Sequence, residues 1–175
     1  NLSVADTVAK VLAEEPDIVG LTTYSPFFHV QVELATALKK ARPDLPVMIG
    51  GSHTTIVKEK ALLDCFDYVF VGEAEDVLPR FLDRLQEGRT PEGLKGIIWR
   101  GEDGNPVFEG APDPLQDFDS LPMSNRILLY NPRYLLGTLE GRNPFTLIQT
   151  TRGCPWKCIF CASKDLNTTL IRRRS

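Results

Sequence analysis

The sequence predicts an α/β fold in which a parallel sheet is covered by helices on both faces. Three apolar runs, 17–24, 46–51 and 67–73, are rich in β-branched residues and close in polar or glycine residues, as strands buried on both faces do. Each is followed by apolar residues at helical spacing. Strand–loop–helix units in tandem call for parallel strands, because every helix returns the chain to the same end of the sheet. At 175 residues, 42% hydrophobic and 25% charged, the chain has the make-up of a soluble globular protein with a core of its own.

Taken in order, Ser3-Val4-Ala5-Asp6 has the form of a helix start, a serine cap with an acidic residue three positions on. Val4, Val8, Val11 and Leu12 then repeat at helical spacing, and the helix is expected to end before Pro16. The first strand follows within 17–24. A second helix fits Val30, Leu34, Ala37, Leu38 and Ala41, with Pro43 as its stop. The second strand runs into Gly50-Gly51, with a short helical stretch around Lys58 to Leu63. After the third strand, Val77, Leu78, Phe81, Leu82 and Leu85 fall on one helical face, Pro79 is tolerated in the opening turns, and Gly88 ends the helix.

Ile97-Ile98-Trp99-Arg100 and Pro106-Val107-Phe108-Glu109 flank a turn-rich segment, which predicts a β-hairpin over 97–109 with Trp99 as a packing residue. From 111 to 143, prolines and aspartates alternate with short apolar runs, as in a linker lying over a surface. Phe145 to Thr151 alternates like a strand and delivers Arg152-Gly153-Cys154. The organisation read from this is a sheet domain over 1–110, a linker over 111–143 and the start of a second domain over 144–175. Three parallel strands are few for such a sheet, so the sequence is expected to belong to a longer chain with further strands ahead of it.

Composition excludes some functions. Residues 151–175 carry six Lys or Arg against one Asp, leaving 1–150 at −8, a charge that argues against nonspecific nucleic-acid binding. Arg172-Arg173-Arg174 falls short of a polybasic tract and reads as a solvated chain end, with no partner assigned to it. No apolar run approaches the roughly 20 residues of a membrane helix, and the first residues are not a signal peptide, so no membrane and a cytoplasmic location are expected. Cys65 stands alone before the third strand and reads as a buried structural thiol.

In parallel sheets ligands bind beyond the carboxyl ends of the strands. The candidate binding residues are therefore Thr22, Thr23, Tyr24 and Ser25 after the first strand, Gly50, Gly51, Ser52 and His53 after the second, and Gly72, Glu73 and Glu75 after the third. Glycines there permit close backbone approach to a ligand, although they serve tight turns equally well. Glu73 and Glu75 read as well as caps of the next helix.

Cys154, Cys158 and Cys161 form a C-x3-C-x2-C cluster. Three thiolates at this spacing can hold one corner of a metal cluster and leave a site open, whereas structural zinc wants four ligands. An iron–sulfur cluster with an open iron is favoured over zinc or disulfide redox chemistry and over chance or structural thiols. Thr151-Arg152-Gly153-Cys154-Pro155-Trp156-Lys157-Cys158-Ile159-Phe160-Cys161 resembles the cluster loop of radical S-adenosylmethionine (radical SAM) enzymes. The 17–23 strand, Gly50-Gly51-Ser52-His53-Thr54-Thr55, Gly72-Glu73-Ala74-Glu75 and Phe118-Asp119-Ser120-Leu121-Pro122 are similar to the Rossmann-like cobalamin-binding domain ahead of the barrel in cobalamin-dependent members.

The resemblance implies that Cys154, Cys158 and Cys161 ligate a [4Fe-4S] cluster whose fourth iron takes S-adenosylmethionine, with Phe160 against the adenine. It implies that the strand-end residues hold cobalamin, and that 144–175 is the first strand and cluster loop of the barrel. The implied chemistry is reductive cleavage of S-adenosylmethionine, followed by methyl transfer to, or cyclisation of, an unreactive carbon of a small-molecule substrate. An electron donor such as flavodoxin or ferredoxin would feed it, and a piece of this length would be inactive alone. Two departures stand out. No Asp-x-His-x-x-Gly motif is present, so no histidine from it is expected on cobalt, and Ala74 replaces the usual glycine between the glutamates. The alternative reading is a cobalamin- or nucleotide-binding module without catalysis. A phosphorylatable receiver domain is disfavoured, because the strands end in Thr, Gly and Glu.

Overall fold

The computed structural model of the chain describes residues 2–123, 125, 149–166 and 168–174. Helix α1 (Val4–Ala13) opens on the expected capping box, in which Ser3 Oγ accepts from the Asp6 N–H at 3.1 Å and the Asp6 carboxylate accepts from the Ser3 N–H at 3.4 Å. Strands β1 (Val19–Thr22), β2 (Val47–Gly50) and β3 (Tyr68–Phe70) pair in parallel and in sequence order, with Val19 opposite Val47 and Met48 opposite Tyr68. Helix α2 (Phe28–Ala41), reached through a 3-10 turn at Ser25–Phe27, joins β1 to β2. Helix α3 (Ser52–Val57) and a 3-10 turn at Lys58–Ala61 lead towards β3, and α4 (Val77–Gln86) follows it.

The expected hairpin does not stand apart. Its strands β4 (Ile97–Arg100) and β5 (Pro106–Phe108) extend the sheet, β4 antiparallel to β3 with Val69 opposite Ile98, and β5 antiparallel to β4. Ile97, Ile98 and Trp99 are all buried. A freestanding hairpin would leave one of its two apolar faces in water, and joining the sheet covers both.

Helices cover both faces of the sheet. On one, Val47, Ile49, Val69, Val71 and Ile98 pack with Ala35 of α2 and with Ala61, Leu62 and Phe66 beyond α3. On the other, Phe70, Ile97 and Trp99 pack against Val77 and Phe81 of α4. The Phe81 ring meets Tyr68 and Phe70 edge-on, with centroids 4.7 and 5.4 Å away. Helix α1 lies outside these layers, its Val8, Val11 and Leu12 against Leu38, Leu45 and Val19.

Two helices depart from the pattern expected of them. Of the stripe expected for α2, Leu34 and Leu38 pack inward and are joined by Phe28, Val32 and Ala35, while Val30 is exposed. The Phe28 ring, 6.2 Å from Phe66, sets the rotation of the helix, and a stripe counted on aliphatic residues from Val30 onward misses it. Helix α3 starts directly after Gly51, so Ser52, His53 and Thr54 occupy its first turn rather than a loop. Polar residues drive this start: the Thr54 hydroxyl lies 2.9 Å from the Gly51 carbonyl and 2.8 Å from that of Phe70, and the Thr55 hydroxyl donates to Gly51 at 2.9 Å.

Beyond the sheet, residues 111–123 run over its surface and bury Phe118. The rest of the linker and most of the expected strand at 145–151 lie outside the described residues. Strand β6 (Thr151–Arg152) pairs antiparallel with β7 (Arg172–Arg173), and a single helical turn α5 (Ser163–Leu166) lies between them. Among the described residues no helix is long and apolar enough to cross a membrane.

Candidate functional site

Because β1, β2 and β3 are parallel, their carboxyl ends meet at one edge. The buried Thr23 donates its N–H to the Gly50 carbonyl at 2.9 Å and accepts the His53 N–H at 3.4 Å. Gly51 makes this contact possible: at φ 113°, a Cβ there would lie 2.5 Å from the Thr23 carbonyl oxygen and 2.9 Å from its nitrogen. His53 Nδ1 lies 3.0 Å from Ser25 Oγ, and its ring is 4.3 Å from that of Phe28. The Gly72 N–H donates to Thr55 Oγ1 at 2.9 Å, which ties the third strand end to the second. Thr22, Tyr24 and Ser25 are exposed along this edge, with Ser52 half-buried beside them. The structure thus brings Thr22, Thr23, Tyr24, Ser25, Gly50, Gly51, Ser52, His53 and Gly72 together.

Glu73 and Glu75 turn to other partners. The Arg172 guanidinium grips Glu73 through two nitrogens, Nη2 to Oε1 at 2.6 Å and Nη1 to Oε2 at 2.7 Å, and Arg152 donates to Glu75 at 2.5 Å. Burial by itself would raise the Glu73 carboxyl, but the hydrogen bond and charge of Arg172, with the charge of Arg152, hold it below the usual carboxylate value. Arg152 is raised in turn, chiefly by its hydrogen bond to Glu75. Neither glutamate caps α4, whose cap residue Asp76 makes no side-chain cap bond either.

The solvated chain end expected at 172–174 is overturned. The Arg172 side chain is 3% exposed, Arg174 donates to the carbonyls of Phe118 and Leu121, and both the Arg152 and Arg172 guanidiniums lie over the Phe118 ring. Sequence reading missed Arg152, Arg172 and Phe118 as a unit. The signal available was the opposite charge of the two parts of the chain.

The cysteines sit on the loop leaving β6. Gly153, at φ 100°, faces the backbone of 168–170, where a Cβ would overlap the Leu170 carbonyl oxygen and lie 2.8 Å from its carbon. The Cys154 N–H donates to the Thr168 carbonyl at 3.0 Å, and the Cys161 N–H to that of Cys158 at 3.2 Å. All three thiols are free; Cys158 and Cys161 are exposed and Cys154 is half-buried. Among the described residues no three His, Cys, Asp or Glu side chains converge as a metal site, so the loop presents its thiols without gathering them. The donor set itself fits an iron–sulfur cluster, being three unpaired thiols on one accessible loop. Trp156, Ile159 and Phe160 point outward, Phe160 at 90% exposure. Cys65, as expected, is buried, and burial raises its thiol.

Comparison with known proteins gives these features a context. Residues 1–82 match the B12-binding domain family. The chain is 32% identical over 160 residues to an uncharacterised methyltransferase of Pyrococcus horikoshii, covering 89% of this chain and 34% of that protein. It is 26% identical over 175 residues to TokK of Streptomyces tokunonensis, a cobalamin-dependent radical SAM methyltransferase, covering 91% of this chain and 24% of TokK. Its fold matches the cobalamin-dependent S-adenosylmethionine radical enzyme OxsB with a TM-score of 0.77 at 18% identity, over 99% of this chain and 23% of OxsB. The chain therefore spans about a third or less of the relatives it matches. With a B12-binding domain match over residues 1–82 and similarity over nearly its whole length to proteins of this kind, the chain is similar in sequence to the cobalamin-dependent radical SAM methyltransferase TokK and in fold to OxsB.

Proposed function

We propose that the chain is the corrinoid-binding and cluster-binding part of a cobalamin-dependent radical SAM enzyme that transfers a methyl group to, or cyclises, an unreactive carbon of a small molecule. The observation that supports it most is the link between the two candidate sites. Glu73, next to Gly72 at the third strand end, holds Arg172 and faces Arg152, which lies two residues before Cys154.

In this reading the edge formed by Thr22, Thr23, Tyr24, Ser25, Gly50, Gly51, Ser52, His53 and Gly72 receives cobalamin. Hydroxyls of Thr22, Ser25 and Ser52 offer hydrogen bonds to its polar side chains, and Gly51 lets the backbone come close. Cys154, Cys158 and Cys161 hold the [4Fe-4S] cluster as thiolates, and Phe160 offers an apolar face to the adenine of S-adenosylmethionine. When bound, the corrinoid supplies a transferable methyl group and the cluster supplies the electron that cleaves S-adenosylmethionine. The chain's own residues position these groups. A flavodoxin or ferredoxin is the fitting electron donor.

The test is an anaerobic titration with hydroxocobalamin followed by gel filtration. The expected result is co-elution at near one corrinoid per chain, weakened in a Ser25→Ala, His53→Ala double variant; free corrinoid only would remove the assignment. In parallel, reconstitution with iron and sulfide is expected to give charge-transfer absorption that Cys158→Ala abolishes. Absorption unchanged by that substitution would end the cluster assignment.

A further inference from the structure

We infer that Glu73 and Glu75 are positioning residues: with Arg152 and Arg172 they form a charged clamp that fixes the cysteine loop against the third strand end of the sheet. The inference rests on the proposal that this loop carries the cluster. Both oxygens of Glu73 are occupied. Oε1 takes Arg172 Nη2 at 2.6 Å and faces Arg152 Nη1 at 3.6 Å, while Oε2 takes Arg172 Nη1 at 2.7 Å and the Leu115 N–H at 3.2 Å. Those oxygens are committed within the protein.

The clamp reaches the cysteines by short covalent and hydrogen-bonded paths. Arg152 and Arg172 lie opposite each other in the β6–β7 pair, so gripping both fixes that pair as a unit. Gly153 then presses against the backbone of 168–170, and Cys154 donates to Thr168. Phe118 fills the space beside the two guanidiniums, with its ring centroid 4.9 Å from Arg152 and 5.2 Å from Arg172, and Arg172 also donates to the Leu115 carbonyl at 2.7 Å. Two planar guanidiniums stacked beside a ring and forked onto carboxylates define an orientation, which a point charge does not. Group transfer between two bound cofactors demands that kind of fixity, since small misplacements of reacting groups are costly.

The test is hydrogen exchange, read by mass spectrometry, on the chain and on its Glu73→Gln, Glu75→Gln and Arg172→Lys variants. Asp113→Asn, which breaks the exposed Lys95–Asp113 pair, serves as control. In Glu73→Gln and Arg172→Lys, exchange over 149–161 is expected to rise roughly tenfold or more, as for removal of one partner of a largely buried pair, while β2, β3 and β4 exchange as before. The lysine is not expected to rescue. On reconstituted protein, the variants are expected to broaden the electron paramagnetic resonance of the reduced cluster. Unchanged exchange over 149–161 would overturn the inference, and so would an equal rise in the sheet, which marks a role in folding alone. Should Glu73→Gln not fold, Glu75→Gln decides by the same comparison, because it leaves the Glu73–Arg172 pair intact. Absence of cluster uptake by the unsubstituted chain overturns the cluster proposal and with it the positioning role, whereas failure of the clamp alone leaves that uptake normal.

Discussion

At Gly153 a missing side chain settles the course of the cysteine loop. Its positive φ and the nearby Leu170 carbonyl leave no room for a Cβ, so Gly153→Ala must push strand β6 away from 168–170. The expected outcome is a local opening, by about 1 kcal/mol or more, seen as faster proteolysis within 149–174 with unchanged thermal melting of the sheet. Equal proteolysis of variant and parent would mean that the loop takes another path. Other residues at this scale were only partly legible. The cysteine spacing could be read directly, because ligand spacing is local in sequence. Arg172 could not: three consecutive arginines look alike in a sequence, and only tertiary contact buries the first against Glu73, 99 positions away. Glu73 and Glu75 read from the sequence as ligand contacts or helix caps and not as partners of Arg172 and Arg152, because an acidic residue after a strand serves a ligand, a helix or an ion pair equally well.

Among the elements, the strands were the most legible, since runs of β-branched residues ending in glycine or polar groups admit few other readings. Helix α3 was the least. It has little apolar period and depends on Thr54, a fully buried hydroxyl between the Gly51 and Phe70 carbonyls. Thr54→Val keeps the shape and removes that hydroxyl, so it is expected to cost about 1 kcal/mol or more in urea unfolding. It should also weaken hydroxocobalamin retention, because the hydroxyl joins the ends of β2 and β3 at the proposed corrinoid edge. The expected destabilisation with unchanged retention would separate α3 from that edge. At the other end of the molecule, Ser3→Ala removes the α1 capping box at an exposed site and is expected to cost about 1 kcal/mol, seen as fraying of 4–8 in hydrogen exchange. Corrinoid retention should not change with it.

For the molecule as a whole, the question is whether the basic segment 151–174 is held by general charge attraction or by the clamp. Residues 1–150 carry −8 and 151–175 carry +5, so either is conceivable from the sequence. The two differ in their response to salt and pH. Attraction between exposed charges is largely screened at 1 M salt, where the Debye length is about 3 Å, whereas buried pairs are screened much less. Glu73 is 18% exposed and Arg172 3%, so raising sodium chloride to about 1 M is expected to leave exchange over 149–161 nearly unchanged. Acid acts differently. The folded-state pKa of Glu73 lies below its ordinary 4.5, so its stabilising contribution is complete above that value and is lost as pH falls through the lower, folded one. Exchange over 149–161, corrected for its intrinsic pH dependence, is therefore expected to rise below pH 4.5, and Glu73→Gln should abolish most of that rise. Release by salt at neutral pH would instead show that diffuse charge holds the segment, and the opposite signs of the two parts would then be the whole of the attachment.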